Sequence, residues 1–276
     1  MNTLKKALLS SVSTLIYFFI KIFLLLPKVN NQLAFKLLKD VVKVQSFKSK
    51  YFDKPLKGLV TSEKTHNRIA SIDNKELSTI EFFSDLNKQD IFWDIGANVG
   101  QISLRLLAMT EAKFVLFEPE PANYFTLLNN IYLNGFSDRV TFLQSPLNSS
   151  TSLTNLPFLL DDVGFSSAGR NFVSVSEKGQ GLNFLSLSGD DMVNLIPSLS
   201  PTVIKLDVDG IELDIILGLE KVLKSQKVRK LLFEGDIHSD ETDEILRTLD
   251  DWGYVLDERV STISASKYLN HHLIRK

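Results

Sequence analysis

Short apolar segments alternate with longer segments of helical periodicity from residue 91 to the end of the chain. The short segments predict strands, and the longer ones, whose apolar residues recur at about every third or fourth position, predict helices. The predicted strands are residues 91–94, 114–117, 140–144, 183–187, 203–208, 228–233, 254–260 and 272–275, and the helices between them include residues 101–109, 122–133, 212–219 and 242–252. This alternation predicts a parallel sheet with helices on both faces.

The first 27 residues form a separate apolar segment. Residues 7–26 are long enough to span a bilayer as a helix, but Lys21 would be costly near its middle. A helix lying in the membrane surface, a spanning helix and a helix packed on the rest of the protein are therefore all compatible with this pattern. A signal peptide is disfavoured because no small-residue cleavage site follows the segment.

Lysines follow the apolar segment at positions 28, 36, 39, 43, 48 and 50. They would favour an anionic cytoplasmic membrane surface, and a solvated helix face is the equal alternative. We therefore predict a membrane-associated helix over residues 1–27, at the inner face of the membrane. A helical extension is predicted over residues 28–86, with helices at residues 32–47 and 74–86, followed by an α/β domain over residues 87–276.

A glycine-containing turn follows the first strand of the predicted sheet, where residues 94–100 read Asp-Ile-Gly-Ala-Asn-Val-Gly. Glycine lets a ligand approach bare backbone, and the next helix presents free N–H groups to an anion. The turn lacks the third glycine of a dinucleotide loop and the Gly-Lys-Ser/Thr ending of a P-loop. Asp94, before the turn, suits a ligand that carries an ammonium group, such as S-adenosylmethionine. An ordinary β-to-α turn is the alternative.

A second carboxylate, Glu118, follows the next strand of the predicted sheet. It lies roughly 20 residues beyond the glycine turn, where a carboxylate commonly accepts two hydrogen bonds from a ribose diol. Glu118 could instead cap the helix that starts near Pro121. The two acids and the turn together favour a nucleoside-containing cofactor.

Several motifs resemble the FkbM family of S-adenosylmethionine-dependent methyltransferases. They are residues 94–100, Phe117-Glu118-Pro119, Asn129-Asn130 with Asn134-Gly135, and residues 205–212 (Lys-Leu-Asp-Val-Asp-Gly-Ile-Glu) with Leu217-Gly218. The family usually has Glu where this chain has Asp209. The resemblance covers the chain from about residue 90 onward. It implies a Rossmann-like class I methyltransferase sheet of seven mostly parallel strands, the last antiparallel, over residues 87–276.

The resemblance also implies the site residues. The cofactor-binding residues would be Asp94, Gly96, Ala97, Asn98, Gly100, Glu118, Pro119 and Ser145. Ser145 belongs to residues 144–146, a segment that would lie beside the adenine. The substrate residues would be Glu212, Glu234 and, in the polar region 148–183, Ser166 and Ser167. A plain surface loop is the alternative for the two serines.

Methyl transfer to an alcohol requires a general base, because the hydroxyl must lose its proton as it attacks. Asp207 and His238 are the candidate bases, and Lys205 could pair with Asp207 or with Glu234. The alternatives are a structural ion pair for Lys205, a first-turn helix acid for Glu212 and an exposed loop position for His238. No metal site is predicted, although the carboxylates at 207, 209, 234 and 236 could hold a hard cation.

Net charge and cysteine content exclude several classes of function. The formal net charge of −2 gives no basic stripe for nucleic acid, and the absence of cysteine excludes disulfides, thiolate zinc sites and a cysteine nucleophile. We therefore predict an S-adenosylmethionine-dependent O-methyltransferase that acts on a hydroxyl of a sugar or of a glycolipid or polysaccharide precursor. A catalytically inactive, membrane-attached scaffold or binding protein with the same fold is the alternative.

Overall fold

The computed structural model of the protein describes residues 43–49, 52–157, 173–174, 181–208, 210–257 and 268–276. The predicted membrane-associated helix, residues 1–27, lies outside these ranges, as does most of the predicted helix 32–47. Within the described ranges, none of the helices combines the length and the apolar character needed to cross a bilayer.

The described strands and helices are labelled here in chain order. The strands are β1 (Lys43–Phe47), β2 (Leu56–Val60), β3 (Ile91–Ile95), β4 (Lys113–Phe117), β5 (Val140–Leu143), β6 (Ser152–Pro157), β7 (Val173–Ser174), β8 (Gly181–Ser186), β9 (Val203–Leu206), β10 (Lys230–Asp236), β11 (Tyr254–Leu256) and β12 (Tyr268–Arg275). The α-helices are α1 (Glu63–Ala70), α2 (Leu77–Phe82), α3 (Gln101–Met109), α4 (Pro121–Leu133), α5 (Gly189–Leu195), α6 (Glu212–Leu217), α7 (Glu220–Lys224) and α8 (Asp240–Asp251).

A seven-stranded sheet forms the centre of the fold, in the order β5-β4-β3-β9-β10-β12-β11. The first five strands in this order run parallel, and β12 is antiparallel to both of its neighbours. The predicted mostly parallel, seven-stranded sheet with its last strand antiparallel is therefore confirmed. From β3 the chain adds strands in one direction and from β9 in the other, so a ligand crevice is expected where the carboxyl ends of β3 and β9 meet.

Both faces of the sheet are buried, which explains why its strands read as nearly continuous apolar runs. Alternate residues contribute to two core clusters, as Trp93 and Phe117 do to one and Phe92 and Phe114 to the other. Trp93 is fully buried, and its indole Nε1–H donates to the carbonyl of Leu199 at 2.8 Å. Burial thus leaves no unpaired donor on the largest core side chain.

The prediction of a helix over residues 32–47 is wrong for its last five residues, which form strand β1. This strand pairs with β2 in a separate two-stranded sheet, so the described part of residues 28–86 is not purely helical. Gln45 and Phe47 are less exposed than Val44 and Ser46, which is the two-residue period of a strand. A short apolar run does not distinguish the two-residue period of a strand from the longer period of a helix. Pairing with β2 makes this segment a strand.

The polar region 148–183 contains strands β6 and β7 and the beginning of β8, which form a three-stranded sheet. Asp190, beyond β8, accepts hydrogen bonds from the backbone N–H groups of Lys221 and Val222. Asp190 therefore caps the amino end of α7.

Candidate active site

The turn between β3 and α3 has the left-handed backbone that glycine favours. Gly96 and Gly100 have φ values of +84° and +86°, and Asn98 between them has +52°. The backbone N–H groups of Gly96 and Ala97 both donate to the carbonyl of Phe117 at 3.0 Å, which fixes the turn to the end of β4. A Cβ on Gly96 would lie 1.9 Å from the carbonyl oxygen of Asp207, so the end of β9 closes directly against the turn.

Replacement of Gly96 by Ala should destabilise the protein by about 2–5 kcal/mol, because it adds left-handed strain to a backbone clash. Gly135→Ala is the matched control: φ is +73° there, but no atom lies within 4 Å of the added Cβ. Its expected cost is about 1–2 kcal/mol. Urea denaturation measures both, and equal losses would contradict the proposed contact between Gly96 and Asp207.

Glu118 lies directly against the same turn. Its Oε2 accepts the backbone N–H of Asn98 at 2.7 Å, and its Oε1 accepts that of Glu120 at 2.9 Å. The residue is only 5% exposed, and this burial raises the pKa of the carboxyl from 4.5 to about 7 despite the backbone hydrogen bonds, which lower it. The carboxylate also has a side-chain hydrogen bond with Asn123. Because a carboxylate offers about four acceptor positions, Glu118 retains the capacity to accept a hydroxyl donor.

A buried lysine links the ends of β3 and β9. Asp94 and Lys205 are register neighbours on these strands, and Lys205 Nζ lies 3.2 Å from Asp94 Oδ1 and 3.1 Å from Asp207 Oδ2. Burial alone would lower the pKa of Lys205, but the carboxylates of Asp207 and Asp94 outweigh it and raise that pKa. Asp94 Oδ2 accepts a hydrogen bond from Ser103 Oγ at 2.5 Å. Lys205 is therefore a charged, structural ion-pair partner that also orients Asp207.

The glycine turn and the ion pairs of Lys205 border one polar pocket at the carboxyl ends of β3, β9 and β10. Of the residues predicted from sequence, its lining includes Asp94, Gly96, Ala97, Asn98, Lys205, Asp207 and Glu234. The Asp207 side chain is 41% exposed, whereas Asp94 is 1% exposed. Asp207 is thus the more accessible of these two carboxylates to an incoming group.

The pocket also has a wall that sequence reasoning missed. Arg68 from α1, Lys75 and Glu76 from the segment before α2, and Gln101 from the first turn of α3 line it. Glu76 has a left-handed φ of +53°, and its Oε2 accepts hydrogen bonds from Thr79 and Asn270. Nothing in the local sequence marks these residues, because their place in the site depends on how α1 and α2 pack beside the sheet.

Other predicted site residues lie outside the lining of this pocket. Gly100, Glu118 and Pro119 are not among its lining residues, and Ser145 donates from Oγ to the carbonyl of Leu185 at 2.5 Å. The Glu212 carboxylate accepts the backbone N–H groups of Val208 and Gly210, and burial raises the pKa of Glu212. Glu212 therefore holds the turn after β9.

His238 is exposed and does not line the pocket. Its backbone N–H donates to Asp236 Oδ1 at 3.1 Å. Of the two candidate bases, only Asp207 belongs to the pocket. Ser166, Ser167 and Asp209 lie outside the described residues, and within the described ranges no group of three or more His, Cys, Asp or Glu side chains is placed to hold a metal ion.

Comparisons with known protein families and sequences agree with the motifs. A family model described as the methyltransferase FkbM domain matches residues 94–256. The hexuronic acid methyltransferase AglP of Haloferax volcanii is 28% identical over 141 residues, covering 51% of this chain and 54% of that relative. The chain thus spans about half the length of the curated relative it matches.

Two crystal structures are also similar to the chain. Methyltransferase FkbM from Methylobacillus flagellatus KT is 17% identical with a TM-score of 0.46, and the match covers 88% of this chain and 58% of that one. Precorrin-6y C5,15-methyltransferase from Geobacter metallireducens GS-15 is 11% identical with a TM-score of 0.44, covering 73% and 88%. Because the family model matches more than half of the residues of this chain, the protein belongs to the FkbM family of methyltransferases.

Proposed function

We propose that the protein transfers a methyl group from S-adenosylmethionine to a hydroxyl group of a saccharide. The observation that carries this proposal is the pocket itself, which joins an accessible carboxylate, Asp207, to the glycine turn that Glu118 braces. A methyltransferase needs a nucleoside-binding edge and a proton acceptor within one crevice, and this arrangement supplies both.

The cofactor would be held by the turn and by the two acids beside it. Glu118 would accept a hydroxyl of the ribose diol. Gly96, Ala97 and Asn98, which line the pocket, would lie along the amino-acid tail. Asp94 would contribute negative charge near the ammonium group. When bound, S-adenosylmethionine supplies an electrophilic methyl group on a sulfonium, a good leaving group that needs no Lewis acid.

Asp207 would act as the general base. Its carboxylate would accept the proton of the acceptor hydroxyl as the hydroxyl oxygen attacks the methyl group that the cofactor would supply, with the neutral thioether as the leaving group. Lys205, whose Nζ lies 3.1 Å from Asp207 Oδ2, fixes the orientation of the base during this transfer.

A saccharide acceptor is supported by the relative named for hexuronic acid, at 28% identity. We also propose that residues 1–27 bring the protein to the inner face of the membrane, where lipid-linked saccharides would be the acceptors. Incubation with methyl-labelled S-adenosylmethionine and a panel of saccharides and cell-envelope extract tests the transfer. Alkali-stable label is expected, since an ether forms on a hydroxyl. Alkali-labile label would indicate a carboxyl acceptor, and no label would favour the inactive-scaffold alternative.

Replacement of Asp207 by Asn should lower kcat by about 10²- to 10⁴-fold, because the isosteric amide cannot accept the proton. The dissociation constant for S-adenosylmethionine should stay within about twofold, since the proposed role is in proton transfer rather than in cofactor binding. Asp236→Asn, at the end of the neighbouring strand β10 and outside the pocket lining, is the matched control and should retain kcat. Full activity of Asp207→Asn would remove Asp207 as the base.

A further inference from the structure

Arg68 reaches the pocket from α1, an element that precedes the sheet in the chain. The end of α1 is fastened to α3 by two contacts: Gln101 Nε2 donates to Ser71 Oγ at 3.1 Å, and Arg105 Nη1 donates to the carbonyl of Ile72 at 2.7 Å. The second contact is buried. Arg68 is therefore carried by a segment held in place at the amino end of α3.

Seven charged side chains of the described residues line the pocket. Four are acids, Glu76, Asp94, Asp207 and Glu234, and three are bases, Arg68, Lys75 and Lys205. Lys205 is buried and lies between Asp94 and Asp207. The other two bases bring positive charge to the wall from α1 and the following segment, and Arg68 also has a partner within the protein.

The proposed cofactor brings an ammonium, a sulfonium and a carboxylate into this pocket. The four acids suit the two cationic groups, but they would repel the carboxylate unless a base lies beside it. The amino end of α3 also favours an anion on the side where α1 is attached. The carboxylate is thus expected to lie on the side of Arg68 and away from Asp207.

Arg68 is better suited to this role than Lys75. Arg68 is half-buried, whereas Lys75 is exposed. A guanidinium presents two parallel N–H donors that match a carboxylate, and partial burial strengthens such a pair. We propose that Arg68 binds the methionyl carboxylate of S-adenosylmethionine, an inference that rests on the proposed function of the same pocket.

Calorimetry with S-adenosylmethionine and with its decarboxylated analogue tests this role. The wild-type protein should bind S-adenosylmethionine about 10- to 100-fold more tightly than the analogue, because only the former offers the carboxylate. Arg68→Met should weaken S-adenosylmethionine binding by about the same factor and leave binding of the analogue unchanged. Arg68→Lys, which retains the charge but loses the fork, should give an intermediate preference.

Lys75→Met is the matched control, since it removes one positive charge from the same wall, and it should retain the preference for S-adenosylmethionine. An unchanged preference in Arg68→Met, or an equal loss for both ligands, overturns the inference while the proposed function stands. Loss of the preference in Lys75→Met alone also overturns it. If the wild-type protein binds neither ligand, the proposed function fails and this inference fails with it.

Discussion

Replacement of Glu118 by Gln is expected to weaken S-adenosylmethionine binding by about 100-fold at pH 8, as measured by calorimetry. The carboxylate would accept a hydroxyl hydrogen bond from the ribose diol, and a hydrogen bond to a charged group contributes about 1.5–3 kcal/mol. Gln also places an amide N–H₂ against one of the backbone donors, Asn98 or Glu120, that the carboxylate satisfies. The loss therefore combines a weaker acceptor with a local mismatch.

The same variant should abolish a pH dependence of binding. Burial raises the pKa of Glu118 to about 7, so the unliganded protein holds a proton there below neutral pH. A protonated carboxyl accepts the diol poorly, and affinity in the wild-type protein should fall about tenfold for each pH unit below 7. Glu118→Gln has no such proton, and the difference between the two titrations isolates this group.

The folding stability of the cofactor-free protein should change with pH in the opposite direction to cofactor affinity. The folded, cofactor-free protein holds the Glu118 proton up to about pH 7, whereas the unfolded chain releases it near 4.5. The contribution of Glu118 to folding stability is therefore complete below that lower pH and is lost, by roughly 3 kcal/mol, as the pH rises through 7. Glu111→Gln, at an exposed position, is the control and should keep both dependences. A flat titration of the wild-type protein would contradict the role of Glu118.

Replacement of Lys205 by Met should destabilise the protein by about 3–5 kcal/mol, because it leaves the carboxylate of Asp94 buried without its ion-pair partner. Asp94 is 1% exposed, so water cannot replace the lost charge. Urea denaturation at pH 7 measures the change. The double variant Asp94→Asn/Lys205→Met should recover at least half of the loss, since neither charge then remains unpaired.

An exposed pair provides the control for this experiment. Lys224 and Glu220 form an ion pair one helical turn apart, with both side chains about half exposed. Lys224→Met should cost only about 0.3–0.5 kcal/mol, since exposed pairs contribute little. If Lys205→Met costs no more than Lys224→Met, or if the double variant is as unstable as Lys205→Met alone, the buried pair is not the source of stability.

Much of the fold could be predicted because its strands are buried on both faces. The apolar runs at residues 91–94 and 114–117 correspond to β3 and β4, and the acids at or just beyond their ends, Asp94 and Glu118, lie at the carboxyl edge of the sheet. Strand β1 was predicted as a helix because five residues do not define a period, and its pairing with β2 lies outside any local pattern.

The candidate site likewise contains residues that the sequence predicts and residues that it does not. Gly96, Asn98 and Asp207 could be identified from two motifs, since each motif lies at the end of a strand. Arg68 and Lys75 could not, because they reach the pocket only after α1 packs beside α3. His238 follows β10 in sequence, but it is exposed and lies outside the pocket lining. Sequence position near a strand end therefore predicts an edge of the sheet, not a place in the pocket.

The sequence by itself determined the alternation of strands and helices, the left-handed glycine turn and the acids near the ends of β3, β4, β9 and β10. These features depend on short-range periodicity and on backbone freedom, which a few neighbouring residues encode. Only the tertiary structure decided that Lys205 joins Asp94 to Asp207, that Glu118 braces the turn and that Arg68 completes the pocket. Those contacts join residues far apart in the chain, and they form only when the crossovers bring the carboxyl ends of the strands and the preceding helices together.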